Sequence, residues 1–201
     1  LAKASISLSV FIPNDALMAN EAEVSSYGQR VNRVGGDYAK AKEIAAEYSE
    51  KYNILLSGGN TDPMRVEAKK TMVFEWLRQI KKLPDVYIQA LSGGTGPIAI
   101  DKAVSDLAKG GIEVKLPRFI MVQPSNCAPM RMAWDDAKAK NFPDGWENDY
   151  PKLENPVTKV PTLATGKPGT YPIIGKLTKK SNGEIIEFDE SLITDISKLI
   201  A

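Results

Sequence analysis

Apolar and polar positions along the chain follow two periods in turn, one of strands and one of helices. Ser5 to Ile12 is rich in β-branched and aromatic residues and is closed by Pro13, which predicts a buried strand. Asn14 or Asp15 then stands where a helix cap belongs, ahead of a helix through Leu17, Met18 and Val24. Arg30 to Val34 predicts a second short strand, stopped by Gly35-Gly36. Asp37 caps a predicted helix over 38–52, where Ala41, Ile44, Ala45 and Tyr48 recur at helical spacing. Ile54-Leu55-Leu56 reads as another short strand before the polar turn 57–62, and Pro63 opens a helix from Met64 to about Lys82. That helix is apolar on most faces, so a position between layers is expected.

Val86 to Leu91 predicts the next strand, followed by a glycine-rich turn and a helix that ends near Gly110-Gly111. Arg118 to Gln123 is a further strand and 124–129 the loop after it. Residues 141–172 are rich in proline, glycine and asparagine and read as a long irregular surface segment. Glu184 to Phe188 predicts a short strand, and Asp189 or Ser191 a cap for the last helix. Strands alternating with helices indicate an α/β fold with open, mainly parallel sheets and helices on both faces. In such a sheet ligands meet the carboxyl ends of strands, so the loops 57–62, 92–97 and 124–129 are expected along one rim.

Composition narrows the chemistry. A formal charge of +1 argues against a dedicated nucleic-acid binder. No apolar run approaches the ~20 residues that cross a bilayer, and no signal-peptide pattern is present. The single Cys127 forms no intrachain disulfide, which makes a reducing cytoplasm the simplest compartment. The absence of histidine removes Ser-His-Asp and Cys-His catalysis and most zinc sites. Cys127 without a histidine partner reads as a structural residue. Lysines, carboxylates, hydroxyls or a borrowed cofactor must carry any reaction. Leu1 is not an initiator methionine and the sequence stops inside a helical pattern, so an internal fragment is expected.

The turn Ser92-Gly93-Gly94-Thr95-Gly96-Pro97 lies between a strand and a helix start. Such a turn aims several backbone N–H groups and the positive end of a helix at one anion. Glycine admits the unusual backbone angles and lets a ligand approach the main chain. The same six residues also suit a tight connection that holds no ligand, and the pattern leaves both readings open. The turn matches neither the dinucleotide fingerprint nor the P-loop, whose lysine it lacks.

Several segments, in order, resemble the threonine synthase group of the fold-type II pyridoxal-phosphate enzymes. They are 5–13 (SISLSVFIP), 31–48 (VNRVGGDYAKAKEIAAEY), 60–76 (NTDPMRVEAKKTMVFEW), 83–98 (LPDVYIQALSGGTGPI), 117–130 (PRFIMVQPSNCAPM) and 162–174 (TLATGKPGTYPII). The resemblance implies part of a small domain over 1–55 and part of a large cofactor-binding domain over 56–201. It implies that Gly93, Gly94, Thr95 and Gly96 surround the phosphate of pyridoxal 5'-phosphate. It implies that Arg65 clamps the phosphate of a small phosphorylated amino acid substrate, with Asn60 where the group often has a serine that reaches the same phosphate. A homodimer is implied for the full-length protein.

The sequence departs from the group at Ala68, where a glycine is usual, and at Asp62, where an asparagine is usual. A larger departure is the Schiff-base lysine, which the group carries in a serine-x-lysine segment ahead of the first strand seen here. No lysine of this chain stands in that context, and Lys69, Lys70 and Lys102 fall on predicted helices. The chain by itself is therefore expected to be inactive, with no catalytic residue assigned. The parent activity implied is conversion of O-phosphohomoserine and water to threonine and phosphate. Alternatives are cysteate synthase, using phosphoserine and sulfite, another β- or γ-replacement enzyme, a non-catalytic phosphate-binding module, or a relative that lost its lysine.

Overall fold

The computed structural model describes residues 4–14, 16, 18–36, 38–57, 59–60, 62–154 and 156–200. Asp15 and Asp37, expected as helix caps, and Leu17 lie outside the described residues. Contacts divide the chain into two compact units, 1–57 and 58–201.

In the first unit β1 (Ser9–Pro13) and β2 (Arg30–Val34) pair in parallel, with Val10 opposite Val31. The crossover contains α1 (Met18–Ser26), and α2 (Tyr38–Tyr52) follows β2. Tyr48 on α2 packs against Phe11 on β1, ring centroids 5.1 Å apart, and Ala41 on the same helix is buried. Arg33 holds the start of the crossover: it pairs with Glu21 at 2.6 Å and donates to the Asn14 carbonyl at 2.7 Å. β1 starts later than the apolar run suggests: its pairing begins at Ser9, opposite Arg30 at the start of β2, and Ser5 sits at φ 56°, a left-handed angle. Ile54–Leu56 is not a strand. Asn53 ends α2 at φ 48°, Ser49 donates to the Ile54 carbonyl, and the three apolar side chains are exposed.

The second unit is built on a parallel sheet in the order β3 (Val86–Ala90), β4 (Arg118–Pro124), β5 (Glu184–Phe188). Ile88 lies opposite Ile120 and Val122 opposite Ile186. Each crossover is helical: α5 (Thr95–Lys109) between β3 and β4, then α6 (Pro129–Ala139) and α7 (Tyr171–Lys180) between β4 and β5. α8 (Ile193–Ile200) closes the chain. Leu91, Ile100, Phe119, Met121, Met130 and Ile174 are fully buried in one core, each worth roughly 1.5–3 kcal/mol of apolar burial. Among the described residues β3 is an edge strand, and its Val86 and Ile88 are exposed. Parallel pairing puts the carboxyl ends of β3 and β4 on one edge, so loops 92–97 and 124–129 leave the sheet together.

Three expectations need correction. The long helix over 64–82 is two: α3 (Pro63–Lys69) and α4 (Thr71–Ile80). At the break the Thr71 hydroxyl donates back to the Ala68 carbonyl, and Lys70 is held between Glu67 and Asp106 at 2.6 and 2.7 Å. This stretch is not buried all round either, since Val66 and Val73 are enclosed while Met64, Phe74 and Ile80 are exposed. The irregular segment 141–172 is more than surface: Phe142, Trp146 and Tyr150 pack against the core, and Tyr171 already begins α7. The edges of Trp134, Phe142, Trp146 and Tyr171 form a contiguous aromatic cluster with centroids 4.9–6.0 Å apart.

Candidate active site

The glycine turn is shaped by what leans on it. Gly94 caps α5 in the left-handed region at φ 72°, and a Cβ there would lie 2.3 Å from Ile174 Cδ1. A Cβ on Gly93 would collide with the Asn60 carboxamide, and one on Gly96 with Gln89 Oε1 at 2.2 Å and Tyr87 OH at 2.6 Å. The Tyr87 hydroxyl donates to Gln89 Oε1 at 2.7 Å, and burial raises its pKa. Among the described residues no side chain caps the amino end of α5 or accepts from its first-turn amides. Thr95 is buried, and its hydroxyl donates to Asn60 Oδ1 at 2.7 Å.

Asn60 reaches the turn because α3 starts just after it. Asp62 accepts from the Met64 amide at 2.9 Å as the N-cap, and Pro63 follows in the first turn. The unusual Asp62 therefore has a local task. Arg65 is exposed, and its Nη1 donates to the Gly59 carbonyl at 3.1 Å, next in sequence to Asn60. Of the sequence-predicted residues, Asn60, Gly93, Gly94, Thr95 and Gly96 converge, while Arg65 braces the turn that delivers Asn60. A cavity of about 590 Å³ opens beside Gly96, lined also by Ala68, Lys69, Met72, Glu75 and Tyr87.

Some neighbours carry no sequence signal. Ser92 Oγ and Thr165 Oγ1 lie 2.8 Å apart, which joins the glycine turn to a segment 73 residues away. Cys127 is fully buried in the loop after β4, and that burial raises its thiol pKa, against a lowering contribution from the Thr165 main chain. Gln123 Oε1 accepts the Met130 and Arg131 amides at 2.9 and 3.0 Å and so caps α6 from within β4.

All 201 residues match the family described as pyridoxal-phosphate dependent enzyme. The chain belongs to that family. Cysteate synthase of Methanothrix thermoacetophila is 30% identical over 162 residues, covering 77% of this chain and 39% of the relative. Threonine synthase of Mycobacterium bovis is 22% identical over 205 residues, covering 100% of this chain and 51% of the relative. The chain thus spans about half, or less, of the length of these curated relatives. Maize serine racemase superposes with a TM-score of 0.74 at 16% identity, covering 98% of this chain and 54% of that one. The L-serine ammonia-lyase of Rhizomucor miehei gives 0.71 at 14% identity, covering 100% and 58%. These two likenesses establish the fold, the fold-type II architecture with parallel sheets.

The cofactor of this family is pyridoxal 5'-phosphate, and the residues present fit its phosphate end. The turn supplies three glycines where a Cβ would be blocked or strained and a helix start without a side-chain cap. The covalent lysine is another matter. Ser49-Glu50-Lys51 has serine-x-lysine spacing, but Lys51 lies in the last turn of α2, its ammonium 5.3 Å from the Tyr52 ring centroid. Lys102 is paired with Glu67 and Asp106. Lys70 stands at the α3–α4 break rather than within one helix.

Proposed function

We propose that the protein acts in a pyridoxal-phosphate enzyme of the threonine synthase type, which converts O-phosphohomoserine and water to threonine and phosphate. The observation that carries this reading is the convergence of Asn60 and Thr95 on a glycine turn that starts α5 without a side-chain cap. Gly93, Gly94, Thr95 and Gly96 hold the cofactor phosphate through main-chain amides and the positive end of the helix. When bound, the cofactor supplies the electron sink for the chemistry at the amino acid. Asn60 and Arg65 bind the substrate phosphate, an amide and a guanidinium at the amino end of α3. Burial of residues 93–97 strengthens the contacts made within the turn. The catalytic lysine is not assigned to any residue of this chain.

Cysteate synthase is the second reading, favoured by the higher identity to the Methanothrix protein. Both readings use a phosphorylated amino acid, so the same residues serve either. The deciding experiment follows cofactor absorbance and product amino acids in the intact polypeptide, supplied with O-phosphohomoserine, or with O-phosphoserine and sulfite. Threonine formation supports the first reading, and cysteate formation the second. Unchanged cofactor binding in Gly94→Asp would sink both.

A further inference from the structure

We propose that Thr165 is a further phosphate-binding residue, acting with Ser92 as a hydroxyl pair that donates to the anion held by the glycine turn. The proposal rests on the phosphate-cradle reading of residues 92–97. Two hydroxyls 2.8 Å apart share one hydrogen bond, and either can be its donor. Sharing uses one of their two protons and leaves the other free to donate. Among the described residues neither hydroxyl has a second hydrogen-bond partner.

Ser92 stands at the entrance to the glycine turn. Ser92 directly precedes Gly93, and the Leu91 amide is still bonded to the Val122 carbonyl of the sheet, so Ser92 is the first residue free of it. Thr95 is the only hydroxyl within the turn's glycine run, and its proton is already given to Asn60 Oδ1. A second hydroxyl from outside the turn fills that role.

Thr165 is also held in place. Its amide donates to the Leu163 carbonyl at 2.7 Å, within the tight turn that follows Pro161–Leu163. The next residue, Gly166, accepts the Leu153 amide at 2.9 Å, and a Cβ on it would lie 2.2 Å from the Leu153 carbonyl oxygen. Half-burial of both hydroxyls keeps the donor out of bulk water, where a bond to a charged acceptor gains most.

The test titrates the intact polypeptide with pyridoxal 5'-phosphate and with pyridoxal, which lacks the phosphate, by tryptophan fluorescence. Thr165→Val, nearly isosteric, is expected to weaken the phosphorylated probe about tenfold or more and leave pyridoxal unchanged. Thr165→Ser is expected to restore wild-type affinity. Ser92→Ala, altered on the other side of the pair, is expected to show the same phosphate-selective loss and serves if the valine variant misfolds. Equal weakening of both probes, or no weakening, overturns the proposal. Gly94→Asp separates the two levels: if it leaves pyridoxal 5'-phosphate binding intact, the cradle itself is wrong; if it abolishes binding while Thr165→Val and Ser92→Ala do not weaken it, only the hydroxyl pair is wrong.

Discussion

The Thr95 hydroxyl donates to the Asn60 carboxamide oxygen at 2.7 Å, which joins residues 35 apart in sequence and turns the Asn60 amide toward Gly93. The amide faces the turn with its donor end. Asn60→Ala is expected to weaken binding of the phosphorylated amino acid substrate by roughly 1.5–3 kcal/mol, the worth of a hydrogen bond to a charged acceptor. Asn60→Asp is expected to weaken it further, because a carboxylate there repels the phosphate. Titrations of the two variants with the phosphorylated substrate check the order, and the reverse order would place that phosphate elsewhere.

Arg65 makes its contact with the Gly59 carbonyl and stays exposed, outside the glycine turn. Arg65→Ala is expected to raise the Kd for the phosphorylated substrate more than that for the cofactor. Isothermal titration with each ligand tests this, and equal effects would remove Arg65 from the substrate site.

Gly94→Ala places a Cβ at φ 72° and 2.3 Å from Ile174 Cδ1. The expected loss of stability is about 1–3 kcal/mol, combining left-handed strain with displacement of a buried isoleucine. Urea denaturation of variant and wild type measures it. A change below a few tenths would mean that the turn relaxes freely.

Glu190 is buried, and its carboxylate accepts from the Lys159 amide, the Thr158 hydroxyl at 2.9 Å and the Asn126 amide at 3.3 Å. Burial alone would raise its pKa, but these three donors and the Lys159 charge hold it below the ordinary 4.5. A depressed folded pKa means that the carboxylate stabilises the fold above the unfolded value, and that this contribution fades as pH falls toward and through the folded value. Amide protection factors at residues 157–160 are therefore expected to fall as pH drops below about 4.5 in wild type and to lose that fall in Glu190→Gln.

The Tyr171 hydroxyl is buried without a hydrogen-bond partner among the described residues, and burial raises its pKa. Tyr171→Phe removes the unpaired group and keeps the ring contacts to Trp146 and Tyr150. The expected result is a gain of about 1 kcal/mol in thermal or urea stability. A loss instead would reveal a bound water bridging the hydroxyl.

Elements with one clear period were legible from sequence. Arg30–Val34, Tyr38–Tyr52 and Glu184–Phe188 stand in the structure where the pattern put them, because punctuation by glycine and polar residues coincides with the real ends. α6 and α7 were missed, although Pro129 and Pro172 open them and Met130, Ala133, Trp134 and Ala137 keep helical spacing. Proline and glycine density across 141–172 masked the second of these. The glycine turn was legible because its chemistry is local. The Ser92–Thr165 and Gln123–Met130 contacts were not, since a hydroxyl or amide in a polar stretch looks the same whether it faces a partner or water.

The exposed face of β3 sets the behaviour of the chain handled by itself. Its outer backbone groups are unpaired among the described residues, and Val86 and Ile88 flank them at 46% and 68% exposure. An apolar, unpaired strand of this kind is a template for a second strand. For the chain handled by itself, the expected outcome is self-association that rises with concentration, which sedimentation over a concentration series checks.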